Sequence, residues 1–143
     1  MEYTQQLIRF CSDLSFDTLP EQVWHKAKLC VLDYVANIYG SLELDAVRSS
    51  IEFVRSLGDS EAATALGCGF KTGLQSAAFI NGLTGEAIEA QDGLRFGGNH
   101  SGVSVIPAAL AVAETLELTG KRLIEAVVAG YEVSNRVAAA MHP

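Results

Sequence analysis

Residues 81–107 pack acidic side chains, one arginine, a glycine cluster and one histidine between two alanine-rich apolar segments. The acids Glu86, Glu89 and Asp92 recur every three residues. On a helix each would lie near the next on one flank, where like charges repel unless a cation or a ligand offsets them. We therefore predict that this segment carries the chemistry of the protein.

His100 lies in a glycine-flanked loop directly before a predicted helix start. Free backbone N–H groups and the helix dipole at such a position favour a bound carboxylate. An imidazole can also act as a general acid or base near neutral pH. Judged on the residues alone, an ordinary histidine in a surface loop is the favoured interpretation.

Asp92 and Glu89 could position His100, order a water or handle a proton at a carbon beside a carboxylate. The alternative is a solvated helix end, because a helix tolerates exposed acids at little cost. Arg95 could clamp a substrate carboxylate in bidentate fashion. Equally, it could neutralise Asp92, which stands three residues before it.

The remaining predicted contacts to a bound anion come from small and amide residues. Gly98 and its neighbouring glycines permit close backbone approach to a ligand, but they also suit any flexible turn. Asn99 is in the same loop. Asn81 either reaches the pocket or packs helices together. Tyr131 and Glu132 are predicted to be structural, as a buried hydroxyl and as a member of an ion pair.

Composition and charge exclude several classes of function. The formal net charge of −7 and the lack of a basic run interleaved with aromatic residues argue against nucleic-acid binding. No apolar stretch reaches membrane-spanning length, and no signal peptide opens the chain, which predicts a soluble cytoplasmic protein. Neither the three cysteines nor the acids have metal-ligand spacing, so we predict reduced thiols and no metal.

Helical periodicity runs through almost the whole chain and predicts an all-α bundle of about six helices. Residues 62–70 are the exception and suggest an extended connector or short strand. Pro107 is expected in or near the first turn of its helix. The last helix is apolar on nearly every side, which predicts burial against several others. The predicted helices cover residues 3–13, 20–40, 44–57, 72–90, those from about 103 onwards, and 120–140.

Three stretches of the sequence together resemble the MmgE/PrpD family, which includes 2-methylcitrate dehydratases, cis-aconitate decarboxylases and an iminodisuccinate epimerase. The first runs from the Asn-Gly pair at 81 through DGLRFGGNHSG to VIPAALAVAE. The others are TGKRLIEAVVAGYEVSNRVAAA and, more weakly, LPEQVWHKAKLCVLDYVANIYG. They cover nearly the whole chain in the family's order.

The resemblance implies a helical domain of a cofactor-independent lyase or isomerase, most often a dehydratase, that abstracts a proton beside a carboxylate of a small di- or tricarboxylic acid. It implies that His100 transfers the proton, that Asp92 orients it, and that Arg95 with the loop amides holds the anion. Glu89, Asn81, Gly98 and Asn99 are assigned to substrate binding on the same basis. The resemblance reverses the interpretation of His100 as an ordinary loop residue.

This chain departs from the family pattern in its motifs and in its length. Members usually carry His-Pro where His100-Ser101 stands, and a second histidine often occupies the position of Leu94. Family enzymes are much longer, so the resemblance implies one partial helical domain over 1–143, without the lid domain and without turnover of its own. The alternatives are a non-catalytic truncated helical module or a small anion-binding, self-associating protein. The expected partner is a second copy or a complementing chain.

Overall fold

The computed structural model describes residues 2–141, so Met1, His142 and Pro143 of the predicted domain lie outside the described residues. Six helices and one small antiparallel sheet make up the described part, which confirms the prediction of a mostly helical fold. Within it, no helix is long and apolar enough to cross a membrane. The helices are α1 (Tyr3–Asp13), α2 (Glu21–Ser41), α3 (Asp45–Ser56), α4 (Leu74–Glu86), α5 (Gly102–Thr115) and α6 (Gly120–Met141).

The main core lies where α2, α5 and α6 meet. Ile38 of α2, Ile106 of α5 and Val127 of α6 are almost completely removed from solvent and belong to one cluster. On α2 the buried residues Ala27, Cys30, Tyr34 and Ile38 recur at spacings of three and four, so one face of the helix supplies its share of this core. Apolar burial of this kind is the main force that holds the helices together.

The sheet consists of β1 (Ala63–Ala65) and β2 (Phe70–Thr72), and Ala63 pairs with Thr72. The predicted extended segment at 62–70 is therefore one strand, a turn and the start of its partner. Gly67 and Gly69 have φ of 72° and 75° in the turn, a left-handed conformation that glycine adopts without the steric cost of a side chain. The hairpin packs on α4 and α5, next to the buried alanines Ala77 and Ala111.

Helix α4 ends at Glu86, four residues before the predicted end at Ala90. The prediction that Glu86, Glu89 and Asp92 share one helical flank is therefore wrong. Glu89 has a left-handed φ of 54°, in a turn that its N–H closes by donating to the Glu86 carbonyl. The buried residues of α4 stop at Gly85, so continuing the helix would bury no further apolar face.

Helix α6 begins where predicted, after Thr119, but it is not buried on every side. Its buried residues are Ile124, Val127 and Val128, while Val137 is 48% exposed. The predicted packing against several helices is confirmed, since α6 contacts α1, α2 and α5, but its fully buried residues lie only in the first half of the helix. The second half also carries the loop described below.

Pro107 is in the second turn of α5, slightly deeper than predicted. Its ring nitrogen cannot donate to the Val103 carbonyl. That carbonyl faces Gly82 of α4, where an added Cβ would lie 3.2 Å from the oxygen. The missing side chain at Gly82 therefore lets the two helices pack closely at this point.

Candidate functional site

One face of α6 supports the loop that connects α4 to α5. Asn99 in the loop donates from Nδ2 to Ser134 Oγ at 2.8 Å and to Asn135 Oδ1 at 3.1 Å. Ser101 donates to the same Asn135 oxygen at 2.7 Å. Because residues three and four apart lie on the same side of a helix, Tyr131, Ser134 and Asn135 form a single polar stripe facing the loop.

The loop is closed on itself between Leu94 and Asn99. The Leu94 N–H donates to the Asn99 carbonyl at 2.7 Å, and a 3₁₀ turn over Arg95–Gly97 fills the space between them. Gly98 then has a left-handed φ of 57°. The closed loop fixes the direction from which the chain enters α5, and it brings His100 back beside Asp92.

His100 is held by the backbone of Asp92 and not by its carboxylate. The ring nitrogen Nδ1 lies 2.8 Å from the Asp92 carbonyl oxygen. A carbonyl can only accept, so Nδ1 carries the proton and the neutral ring keeps Nε2 as its acceptor nitrogen. His100 is exposed, and Nε2 has no hydrogen-bond partner within residues 2–141.

The Asp92 carboxylate is used on the other side of the segment. Its Oδ2 accepts a hydrogen bond from the Tyr131 hydroxyl at 2.9 Å. An added Cβ on Gly102, the first residue of α5, would lie 2.5 Å from Oδ1. The carboxylate therefore lies at the α5 N-terminus, where the helix dipole favours a negative charge. The anion position expected at this helix start is thus taken by a side chain of the protein itself.

Tyr131 and Cys30 lie beneath Asp92. Burial raises the pKa of Tyr131, and the hydrogen bond to Asp92 raises it further, so the hydroxyl remains a donor. Burial likewise raises the pKa of Cys30, and the negative charge of Asp92 adds to the effect. Both groups are therefore neutral near physiological pH.

A cavity of about 310 Å³ opens beside Asp92 along α2. Its polar lining includes Lys26, Asp33 and Gln91, and the side-chain oxygen of Gln91 is buried without a hydrogen-bond partner in the described structure. Sequence patterns did not assign Lys26 or Cys30 to the site. Their spacing of four on α2 places them on one side of that helix, but only the fold shows that this side faces Asp92.

The predicted site residues therefore divide into two groups. The structure brings Asp92, His100 and Asn99 together, whereas Glu89 and Gly98 are exposed on turns next to them. Arg95 is exposed in the 3₁₀ turn and forms no ion pair with Asp92 in the part of the chain that the structure describes. Of the two uses considered for Arg95, neutralising Asp92 does not occur in this structure.

Asn81 is used elsewhere. It is 2% exposed, its Oδ1 accepts from the Leu66 N–H at 2.8 Å, and its Nδ2 donates to the Thr64 carbonyl at 2.9 Å. Both ends of the amide are therefore occupied by the backbone of β1 and the following turn. This is the helix-packing role considered for Asn81, with the hairpin as the packed partner.

The described residues contain no group of three His, Cys, Asp or Glu side chains placed to share a metal ion. Two groups of the loop are available to a ligand: Nε2 of His100, and the guanidinium of Arg95, which has no ion pair among the described residues, whereas the Asp92 carboxylate is engaged by Tyr131. This set can hold an organic anion and exchange a proton with it.

Comparison with known proteins identifies the same family that the sequence motifs resemble. The family model described as the MmgE/PrpD N-terminal domain matches residues 5–143. A cis-aconitate decarboxylase of Aspergillus terreus is 27% identical over 144 residues, which cover 97% of this chain and 29% of that protein. A cis-aconitate decarboxylase-like protein of Aspergillus oryzae is 28% identical over 150 residues, covering 97% of this chain and 30% of the relative. The chain thus spans less than a third of the length of these relatives, and no solved structure matches it.

Proposed function

This chain belongs to the MmgE/PrpD family, and from that premise we propose that residues 92–102 form the proton-transfer and anion-binding part of an enzyme that acts on a small di- or tricarboxylic acid. The observation that carries the proposal is the arrangement of His100. Its Nδ1 is engaged by the Asp92 carbonyl at 2.8 Å, and its Nε2 faces no partner among the described residues. A neutral imidazole fixed in this way has one nitrogen available as a base.

In the proposed reaction, Nε2 of His100 removes a proton from the carbon beside a substrate carboxylate. The electron pair of the broken C–H bond passes into that carboxylate as an enediolate, and His100 becomes an imidazolium. Arg95 pairs with a substrate carboxylate and lowers the cost of the added negative charge. The Asp92 carboxylate already occupies the α5 N-terminus, so the substrate carboxylate cannot bind there. The substrate is bound instead by the guanidinium of Arg95 in the neighbouring 3₁₀ turn.

Dehydration, decarboxylation and epimerisation can share this proton transfer and differ in which other bonds of the substrate break or form. The prediction of a dehydratase stays a prediction, and the names of the relatives make cis-aconitate the first acid to test. No cofactor enters the proposed step, since the base and the anion partner are both side chains.

Calorimetric titration of the 143-residue chain with cis-aconitate, citrate and 2-methylcitrate tests the proposal. We expect saturable binding that Arg95→Gln weakens by about tenfold or more, because a hydrogen bond to a charged group contributes roughly 1.5–3 kcal/mol. Arg48→Gln is the matched control, since Arg48 is an exposed arginine on α3 paired with Glu43. Absence of binding, or an equal loss in both variants, would overturn the proposal.

A second candidate is an anion-binding protein without proton transfer. It is favoured by Arg95, which is exposed and has no ion pair within residues 2–141, because such a cation by itself requires only an anionic ligand. Incubation of bound acid in D₂O separates the two functions. Proton transfer exchanges the substrate's C–H hydrogens for deuterium, and we expect His100→Gln to abolish this exchange. Simple binding leaves the hydrogens unexchanged.

A further inference from the structure

The three residues from Gln91 to Gly93 belong to neither a helix nor a strand. Among the described residues, two hydrogen bonds hold this segment in place, and both involve Asp92. The Tyr131 hydroxyl donates to its Oδ2 at 2.9 Å, and the His100 ring engages its backbone carbonyl at 2.8 Å. The position of the carbonyl that orients His100 therefore depends on how firmly the Asp92 side chain is held.

We propose that Tyr131 is a positioning residue: its hydroxyl anchors Asp92, so that the Asp92 carbonyl keeps the proton of His100 on Nδ1 and leaves Nε2 free. This inference rests on the proposed function, in which Nε2 is the base. Tyr131 need not touch the substrate, because its effect passes through the backbone of Asp92.

The fold gives Tyr131 the rigidity that such a role requires. The side chain is half-buried and packs against the main core formed by α2, α5 and α6. The preceding residue, Gly130, lets α6 approach α5 closely, because an added Cβ there would overlap Val105. Tyr131 is thereby brought to the first turn of α5, where its hydroxyl would lie 2.9 Å from a Cβ added to Gly102.

The surroundings of the Tyr131 hydroxyl also favour its role as a donor. Burial and the Asp92 carboxylate together raise its pKa, so the phenol remains protonated. Asn99 and Ser101 separately join the other end of the loop to Ser134 and Asn135. These bonds hold the loop near α6 when Tyr131 is altered, so a change at Tyr131 acts mainly on Asp92.

The test is a nitrogen-15 NMR spectrum of the histidine rings, which shows which ring nitrogen carries the proton. It needs no substrate, so its outcome is independent of whether the proposed function holds. We expect His100 in the natural chain to be protonated on Nδ1 in its neutral form. In Tyr131→Phe we expect the ratio of Nδ1–H to Nε2–H to fall by about fivefold, because a hydrogen bond of ordinary net strength changes an equilibrium constant by about that factor.

Three further variants make this test decisive. Tyr39→Phe, at an exposed tyrosine on α2, is expected to leave the ratio unchanged. Asp92→Asn keeps an oxygen for the Tyr131 hydroxyl and is expected to preserve the ratio, while Asp92→Ala is expected to lower it as Tyr131→Phe does. A folded Tyr131→Phe protein with the natural ratio, or an Asp92→Ala protein that keeps it, would overturn the inference.

Discussion

Two regions that adjoin α4 use polar groups in opposite ways: the hairpin end, which is the β1–β2 hairpin with Asn81 and Glu114, and the loop end, which is residues 92–102. At the hairpin end, Asn81 and Glu114 have their polar atoms occupied by fixed partners from the hairpin. At the loop end, Arg95 has no ion pair and His100 keeps Nε2 free, within the part of the chain that the structure describes. Satisfied polar groups stabilise a fold, whereas convergent unsatisfied ones remain available to a ligand.

The hairpin end shows how completely a scaffold satisfies its polar atoms. Glu114 accepts from the Thr64 N–H and from the Thr64 hydroxyl, both at 2.7 Å, and pairs with Lys71 at 2.9 Å. Together with Asn81 it holds β1 between α4 and α5. We therefore expect changes at this end to alter stability, and changes at the loop end to alter the site.

The largest expected effect on stability is that of Asn81→Ala. The substitution leaves the Leu66 N–H and the Thr64 carbonyl without their partners, and each unpaired buried group costs about 1–3 kcal/mol. Urea unfolding should show a loss of about 2–4 kcal/mol with unchanged His100 ring signals. Gln75→Ala, at an exposed position on the same helix, should stay within about 0.5 kcal/mol.

A natural-like stability for Asn81→Ala, or a changed His100 spectrum in the folded variant, would contradict the division between the two ends.

Glu114→Gln has a smaller and pH-dependent effect. Burial works against ionisation of Glu114, but the hydrogen bonds from Lys71 and Thr64 outweigh it, so its pKa lies below the ordinary 4.5. Its ionised form therefore adds stability above that value, and this stability is lost as the pH falls through the lowered pKa. We expect a loss of about 1 kcal/mol at neutral pH, since the exposed Lys71 limits the ion pair.

Denaturant unfolding across acidic pH checks this prediction, because the difference between Glu114→Gln and the natural chain should shrink below the ordinary pKa. Glu52→Gln, at an exposed acid on α3, serves as the control for the removal of one negative charge. A difference that grows on acidification would refute the assignment.

The smallest expected effect on stability, with the largest on the site, is that of Gly102→Ala. The new methyl group would lie 2.5 Å from Asp92 Oδ1, so the short acidic side chain must move. Alanine is the better helix former by up to about 1 kcal/mol, which offsets much of the crowding. Net stability should change by less than about 1 kcal/mol, while the ring signals of His100 shift.

Gly120→Ala is the matched control for Gly102→Ala. Gly120 is also the first residue of a helix, and a Cβ added there meets nothing within 4 Å. It should leave His100 unchanged. Unaltered His100 signals in Gly102→Ala would mean that the Asp92 carboxylate does not control the ring.

Much of the fold could be predicted from sequence because apolar spacing and caps are local signals. The helices α1, α2 and α3 lie within one residue of their predicted bounds, and Thr119 precedes α6 as expected. The end of α4 could not be predicted in this way. Ala87 and Ala90 continue its apolar pattern, but in the folded chain the buried residues of the helix stop at Gly85 and Ala90 is exposed.

The residue types of the site could be predicted from sequence, but the atoms through which those residues contact one another could not. The sequence placed Asp92 and His100 in one segment, yet their contact uses a backbone carbonyl, which no residue type encodes. Tyr131 was predicted only as a buried hydroxyl, and its partner stands 39 positions away in the chain. Long-range pairing of this kind depends on how α6 packs, which local patterns do not determine.

The most direct test of the account is a titration of the chain with cis-aconitate, followed through the proton and carbon signals of the His100 ring, with the exposed His25 on α2 as an internal reference. We predict a saturable shift of the His100 signals, weakened in Arg95→Gln, while the His25 signals stay in place. Signals of His100 that do not move, or that move only in parallel with those of His25, would contradict the proposed site.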